Sequence, residues 1–253
     1  MKNKNTSDMT VGRITPQIIR FAIPLILGNF FQLTYNAADS IIVGRFVGTN
    51  ALAAVGAAGP IMNIVIFMIV GICLGMSVLM SEFYGAGDYP KLKREISTSF
   101  ISGGIFTLTI IILGILLSRP ILLLMNTPAE IIDDATHYLQ IIIFGLIFTF
   151  TYNIYASALR SMGNSKTPLY FLITSSILNV IMDLIFVVIF KMGVIGAAVA
   201  TVIAEAISAF LCIFYVWIRI PILKFKRSEF VFDRSLLRST VNYSSVAAMQ
   251  QIC

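Results

Sequence analysis

The chain has 253 residues, 58% of them hydrophobic and only 12% charged, with a mean hydropathy of +0.91. Soluble domains carry roughly twice that share of charge, so an ordinary soluble fold is excluded. The 18 Lys and Arg exceed the 12 Asp and Glu by a formal +6, which in a soluble protein would suggest nucleic acid, but here the basic residues punctuate apolar runs and no nucleic-acid partner is expected.

Those runs are long enough to cross a hydrocarbon core of about 30 Å, which takes roughly 20 helical residues. They are continuous rather than alternating every second residue, which disfavours a β-barrel. The expected fold class is an all-α polytopic membrane protein: a lobe of six transmembrane helices plus a partial seventh. With a cytoplasmic N-terminus, 15 of the 18 basic residues fall on the inner side and only Arg45, Arg119 and Lys191 fall outside, the asymmetry expected of membrane proteins. Cys73, Cys212 and Cys253 have no paired spacing and imply neither a disulfide framework nor a metal site.

Residues 1–13 are polar and precede a run too long for a signal peptide, so they read as a retained cytoplasmic tail. The first span is expected over residues 15–43, some 29 residues, which as a straight helix measures about 43 Å. Pro24 removes a backbone donor there and is the natural bend point, although a proline near a span end can also be inert. The stretch FVGTNALAAVGAAG is expected to supply an outer turn and the start of a second span over 53–81. In that span Gly71 and Gly75 form a small-xxx-small pair, a common signal for close helix approach. A cytoplasmic turn, EFYGAGDYPKLKRE, precedes a third span over 96–117. The following SRPILLLMNTPAEIIDDATHY is expected as an outer loop, with ILLLM lying near the interface and His137 closing it. Spans four to six are expected over 138–159, 169–190 and 197–218, so that the six-helix lobe covers 14–218. Residues 219–238 form a basic cytoplasmic linker suited to anionic headgroups. Residues 239–253 begin a seventh span too short to cross, which reads as the start of a second lobe in a longer parent.

Three carboxylates fall within these spans: Asp39, Asp183 and Glu205. Ionisable residues at such positions are costly and usually face a bundle interior or an ion path. Asn179 and Asp183 are spaced i,i+4 and share one face of the fifth helix, as Thr201 and Glu205 do on the sixth; Asn36 lies three residues before Asp39 on the first. If the faces converge, Asp39, Asn179, Asp183 and Thr201 make an all-oxygen site for Na⁺ or H⁺, with Asn36 and Glu205 as secondary members. Taken singly, Asn179 and Thr201 read better as helix-to-helix hydrogen bonding. The single His and the lack of a Gly-rich phosphate cradle followed by Lys support neither a Ser/His hydrolase nor a P-loop ATPase, so no enzyme is expected and transport would be secondary.

Four stretches together resemble the MATE family, the multidrug and toxic compound extrusion transporters: TPQIIRFAIPLILGNFFQLTYNAADSIIVGRFVGTNALAAVG, YGAGD at Tyr84 to Asp88, LRSMGNSKTP at Leu159 to Pro168, and GVIGAAVATVIAE at Gly193 to Glu205. The resemblance implies two six-helix lobes in a bacterial inner membrane, exporting cationic drugs in exchange for H⁺ or Na⁺ without a cofactor. It also implies cation ligands on helices 1, 5 and 6, falling by motif on Asp39, Asn179, Asp183 and Thr201, with Pro24 where the first helix bends. The second lobe, helices 7–12, is the missing partner, and the isolated chain is expected to give no net efflux. A lipid-linked oligosaccharide flippase of the same superfamily is the alternative, although its cavity should be rich in Arg and no Lys or Arg lies mid-span here. A non-transporting truncated membrane protein is a second alternative.

Overall fold

The computed structural model describes residues 13–223 and 230–252. Most of the expected N-terminal tail, with Lys2 and Lys4, lies outside the described residues, as do Lys224, Lys226, Arg227 and Cys253. No strand occurs among the described residues; the elements are α1 (Ile14–Phe46), α2 (Thr49–Gly85), α3 (Tyr89–Leu124), α4 (Ile132–Ser161), α5 (Lys166–Asp183) continued by a π-helical segment (Leu184–Ile189), α6 (Gly193–Arg219) and α7 (Arg234–Ile252). The first six, α5 taken with its π extension, are long and apolar enough to cross a membrane.

Short connections between long helices make the chain run up and down. The YGAGD turn is built by its own residues: Gly87 adopts a φ of 73°, which favours glycine, and Asp88 caps α3 by accepting the Lys91 N–H at 3.1 Å. That hydrogen bond, with the Lys91 ammonium 3.2 Å away, holds the Asp88 carboxyl below the usual carboxylate range. The LRSMGNSKTP turn works similarly, with Gly163 at a φ of 78° and Asn164 Oδ1 accepting the Thr167 N–H at 3.1 Å.

The helices are longer than the apolar runs suggested, because polar and proline-containing flanks are absorbed into them. The expected outer turn before the second span shrinks to Val47 and Gly48, and the small residues Ala51, Ala54 and Ala58 are already buried in α2. Pro120 lies inside α3, so ILLLM is mostly its last turn rather than an interfacial piece, and the loop is confined to residues 125–131. His137 lies within α4, exposed. Glu95, expected in a cytoplasmic turn, is a fully buried residue of α3. The basic segment ends sooner than expected, since Arg234 and Arg238 belong to α7.

The core is centred on α4, which packs against α2, α3 and α6, while α1 lies chiefly on α5 and α7 on α2. Phe150 of α4 is buried at the centre, its ring edge against Gly103 of α3. A Cβ on Gly103 would stand 2.5 Å from that ring, closer than packed atoms tolerate. Gly103→Ala is therefore expected to destabilise the chain by about 1–3 kcal/mol through overpacking. Adding Phe150→Leu should recover part of the loss. Thermal unfolding in detergent checks both; strictly additive losses would show that the two positions are not in contact.

Candidate cation site

Asp39 sits past the middle of α1, on the stripe that faces α5, and is 8% exposed. Asp183 is the last residue of α5, where the helix passes into π-helical winding, and is completely buried. A π segment lets successive side chains aim differently from a regular helix and is frequent at functional sites. The two carboxyl groups lie within hydrogen-bonding reach of each other. As carboxylates, neither can donate. Accordingly Asp39 Oδ1 and both oxygens of Asp183 are buried without a donor.

One turn before Asp183, buried Asn179 donates through Nδ2 to Thr201 Oγ1 of α6 at 3.2 Å. That orientation engages one of the amide's two N–H donors and leaves its Oδ1 buried with no partner. Four of the eight unpartnered buried side-chain oxygen or nitrogen atoms among the described residues thus come from Asp39, Asn179 and Asp183. Buried polar atoms are nearly always satisfied, because leaving one bare costs about 1–3 kcal/mol, more when it is charged. A concentration of acceptors with no donor is chemically matched by a proton or a small hard cation, which takes oxygen ligands. No group of three or more His, Cys, Asp or Glu suited to a metal ion occurs among the described residues.

The other candidates are placed differently. Asn36 is exposed, although only three residues from Asp39. Glu205 is half-buried and accepts Thr149 Oγ1 of α4 at 2.6 Å, a pairing of its own. Pro24 is buried in α1, which continues as helix on both sides of it. One turn later, Gly28 lets Leu172 of α5 approach the α1 backbone. Two residues not singled out from the sequence stand near the site: Tyr35 of α1 and Tyr138 of α4, both within electrostatic reach of Asp39 and Glu205. Ser175 holds α5 to α6 by donating to the Ala204 carbonyl at 2.9 Å.

The Glu205 pairing can be tested by itself. Thr149→Val keeps the side-chain shape but removes the hydroxyl that Glu205 accepts. A destabilisation of about 1.5–3 kcal/mol is expected, as for a hydrogen bond to a charged group. Glu205→Gln in the same chain should lessen it in thermal unfolding, and a neutral effect of Thr149→Val would show that this hydroxyl does not support Glu205.

Comparison with known proteins bears on what such a site belongs to. The MatE family model matches residues 24–185, more than half of the chain. A probable multidrug resistance protein of Bacillus subtilis, YpnP, is 32% identical over 209 residues, which cover 83% of this chain and 47% of that protein. The probable multidrug resistance protein NorM of Thermotoga maritima is 26% identical, over 90% of this chain and 48% of that one. Among solved structures, a MATE protein in its straight conformation superposes with a TM-score of 0.90 at 25% identity, covering 99% of this chain and 56% of that one. The bent conformation gives the same TM-score and identity over 98% and 56%. The chain spans about half the length of the curated relatives it matches. With this fold, these apolar helices and a match that runs from Pro24 to beyond Asp183, the chain belongs to the MatE family.

Proposed function

We propose that this chain is the N-terminal lobe of a MATE-type secondary exporter, in which Asp39, Asn179, Asp183 and Thr201 together bind one coupling cation, H⁺ or Na⁺, in exchange for an organic cation. The observation that carries this reading is the facing of Asp39 and Asp183 across the α1–α5 contact with no donor between them. Two unit negative charges about 4 Å apart repel by on the order of 4 kcal/mol at an effective dielectric of about 20. A bound proton or Na⁺ removes that repulsion and supplies the missing partner, drawing α1 to α5. Without it α1 is free to shift, and Pro24, which leaves a backbone carbonyl without its helical donor, is where α1 bends most cheaply. A cation gradient thereby biases two arrangements of α1, which is what coupling requires. In this reading the N-terminus is cytoplasmic, the protein lies in the bacterial inner membrane, and a second six-helix lobe forms the opposing wall needed for alternating access.

The test is efflux of ethidium from cells producing the chain joined to a second lobe. Asp39→Asn and Asp183→Asn are each expected to reduce efflux to the empty-vector level. Asn36→Ala should leave it within about twofold, since that side chain faces outward. Collapsing the proton and sodium gradients in turn identifies the coupling ion. Undiminished, gradient-dependent efflux by Asp39→Asn would refute the mechanism.

A further inference from the structure

Half of the unpartnered buried oxygens among the described residues lie outside the candidate cation site, and one of these is a carboxylate oxygen, Oε2 of Glu95. Glu95 is completely buried in the first third of α3. Its other oxygen, Oε1, accepts two hydroxyls: Ser99 of the same helix at 2.9 Å and Thr240 of α7 at 2.8 Å. Thr98, also completely buried, adds a second tie by accepting the N–H of Asp233 at 3.0 Å, immediately before α7 begins. Asp233 in turn caps α7, accepting the N–H and the hydroxyl of Ser235 at 2.9 and 2.6 Å. Burying a carboxylate is expensive, and a protein keeps one where its hydrogen bonds specify a particular arrangement.

What is arranged here is the seat of α7. The buried residues of α7 are Thr240, Ser244 and Ala248, a stripe of small residues at i,i+4,i+8. Opposite them on α2, Gly71 meets the Ala248 backbone and Gly75 the Ser244 backbone so closely that a Cβ on either glycine would collide with main chain. The pairing runs antiparallel, and the Ser244 hydroxyl donates to the Ile72 carbonyl at 3.0 Å. Small residues on both helices give close approach but little specificity of depth, since one turn up or down presents similar surfaces. Glu95 removes that ambiguity, because only one register places the Thr240 hydroxyl on its carboxyl.

We infer that Glu95 is the positioning residue that seats α7 on the first six helices, by accepting Thr240 above the glycine groove of Gly71 and Gly75. The role is that of a hydrogen-bond acceptor at one register position. It is independent of ion coupling, so it stands or falls apart from the transport reading.

Hydrogen exchange measured on the purified 253-residue chain in detergent tests it. Glu95→Ala and Thr240→Val are each expected to raise exchange of the α7 amides about tenfold or more, by populating an undocked α7, while α4 and α6 remain as protected as before. The conservative variants Glu95→Gln and Thr240→Ser keep the acceptor and the hydroxyl and should keep α7 protected. Thr240→Val leaves Glu95 in place, so the result does not depend on whether Glu95→Ala folds. The inference is overturned if both disruptive variants leave α7 exchange within about twofold of the unaltered chain, if exchange rises equally in every helix, or if Glu95→Gln behaves as Glu95→Ala.

Discussion

Two aspartates from different helices, facing each other inside an apolar bundle, set the terms for much of what surrounds them. Asp39 Oδ1 and both oxygens of Asp183 have no donor, and the two carboxyl groups lie within hydrogen-bonding reach of each other across the α1–α5 contact. Such an arrangement is stable only with a positive species between the carboxyls or with one of them neutral. The neighbouring features read as support for that requirement. Asn179 donates one amide N–H to Thr201, and its acceptor is left over. Ser175 pins α5 to α6, and the π segment changes the winding of α5 directly after Asp183. In the proposed mechanism a site assembled on three helices responds to movement of any one of them, which would link occupancy to the position of α1.

The bundle handles its polar groups in two different ways. At α1–α5 the oxygens of Asp39, Asn179 and Asp183 are left without donors. At α2–α3–α7 most acceptors meet hydroxyls: Glu95 takes Ser99 and Thr240, Thr98 takes the backbone ahead of α7, and Ser244 reaches the Ile72 carbonyl. The first kind of contact suits an exchangeable ion and a helix that moves; the second suits a helix held in one register. Between them lies α4, whose buried face, including Leu139, Leu146, Phe150 and Ile154, packs against α2, α3 and α6.

How much of this could be read from the chain follows from which features are local. The six spans and the i,i+4 pairing of Asn179 with Asp183 depend only on apolar length and helical period, and both are legible without coordinates. Helix ends were harder. Pro120 and the polar residues around Tyr89 look like loop by composition, yet α3 absorbs both, since a helix longer than the membrane core continues beyond it at little cost. Glu95 was placed in a turn for the same reason. Its burial depends on Thr240, 145 positions away, and no local pattern announces such a partner. The Thr149 hydroxyl under Glu205 and the tyrosines near Asp39 are equally non-local. Gly71 and Gly75 are an intermediate case: the spacing was visible, but α7 as the helix they receive was not.

The most direct measurement of the central claim is infrared difference spectroscopy of the purified chain, following the carbonyl stretch of protonated carboxyl groups as pH is varied with and without Na⁺. If Asp39 and Asp183 share one cation, a protonated-carboxyl band should be lost in both Asp39→Asn and Asp183→Asn, because either change abolishes the shared site. Were Na⁺ the competing ion, adding it should remove the same band from the unaltered chain. Two bands that titrate independently, each lost in only one of the two variants, would contradict the account.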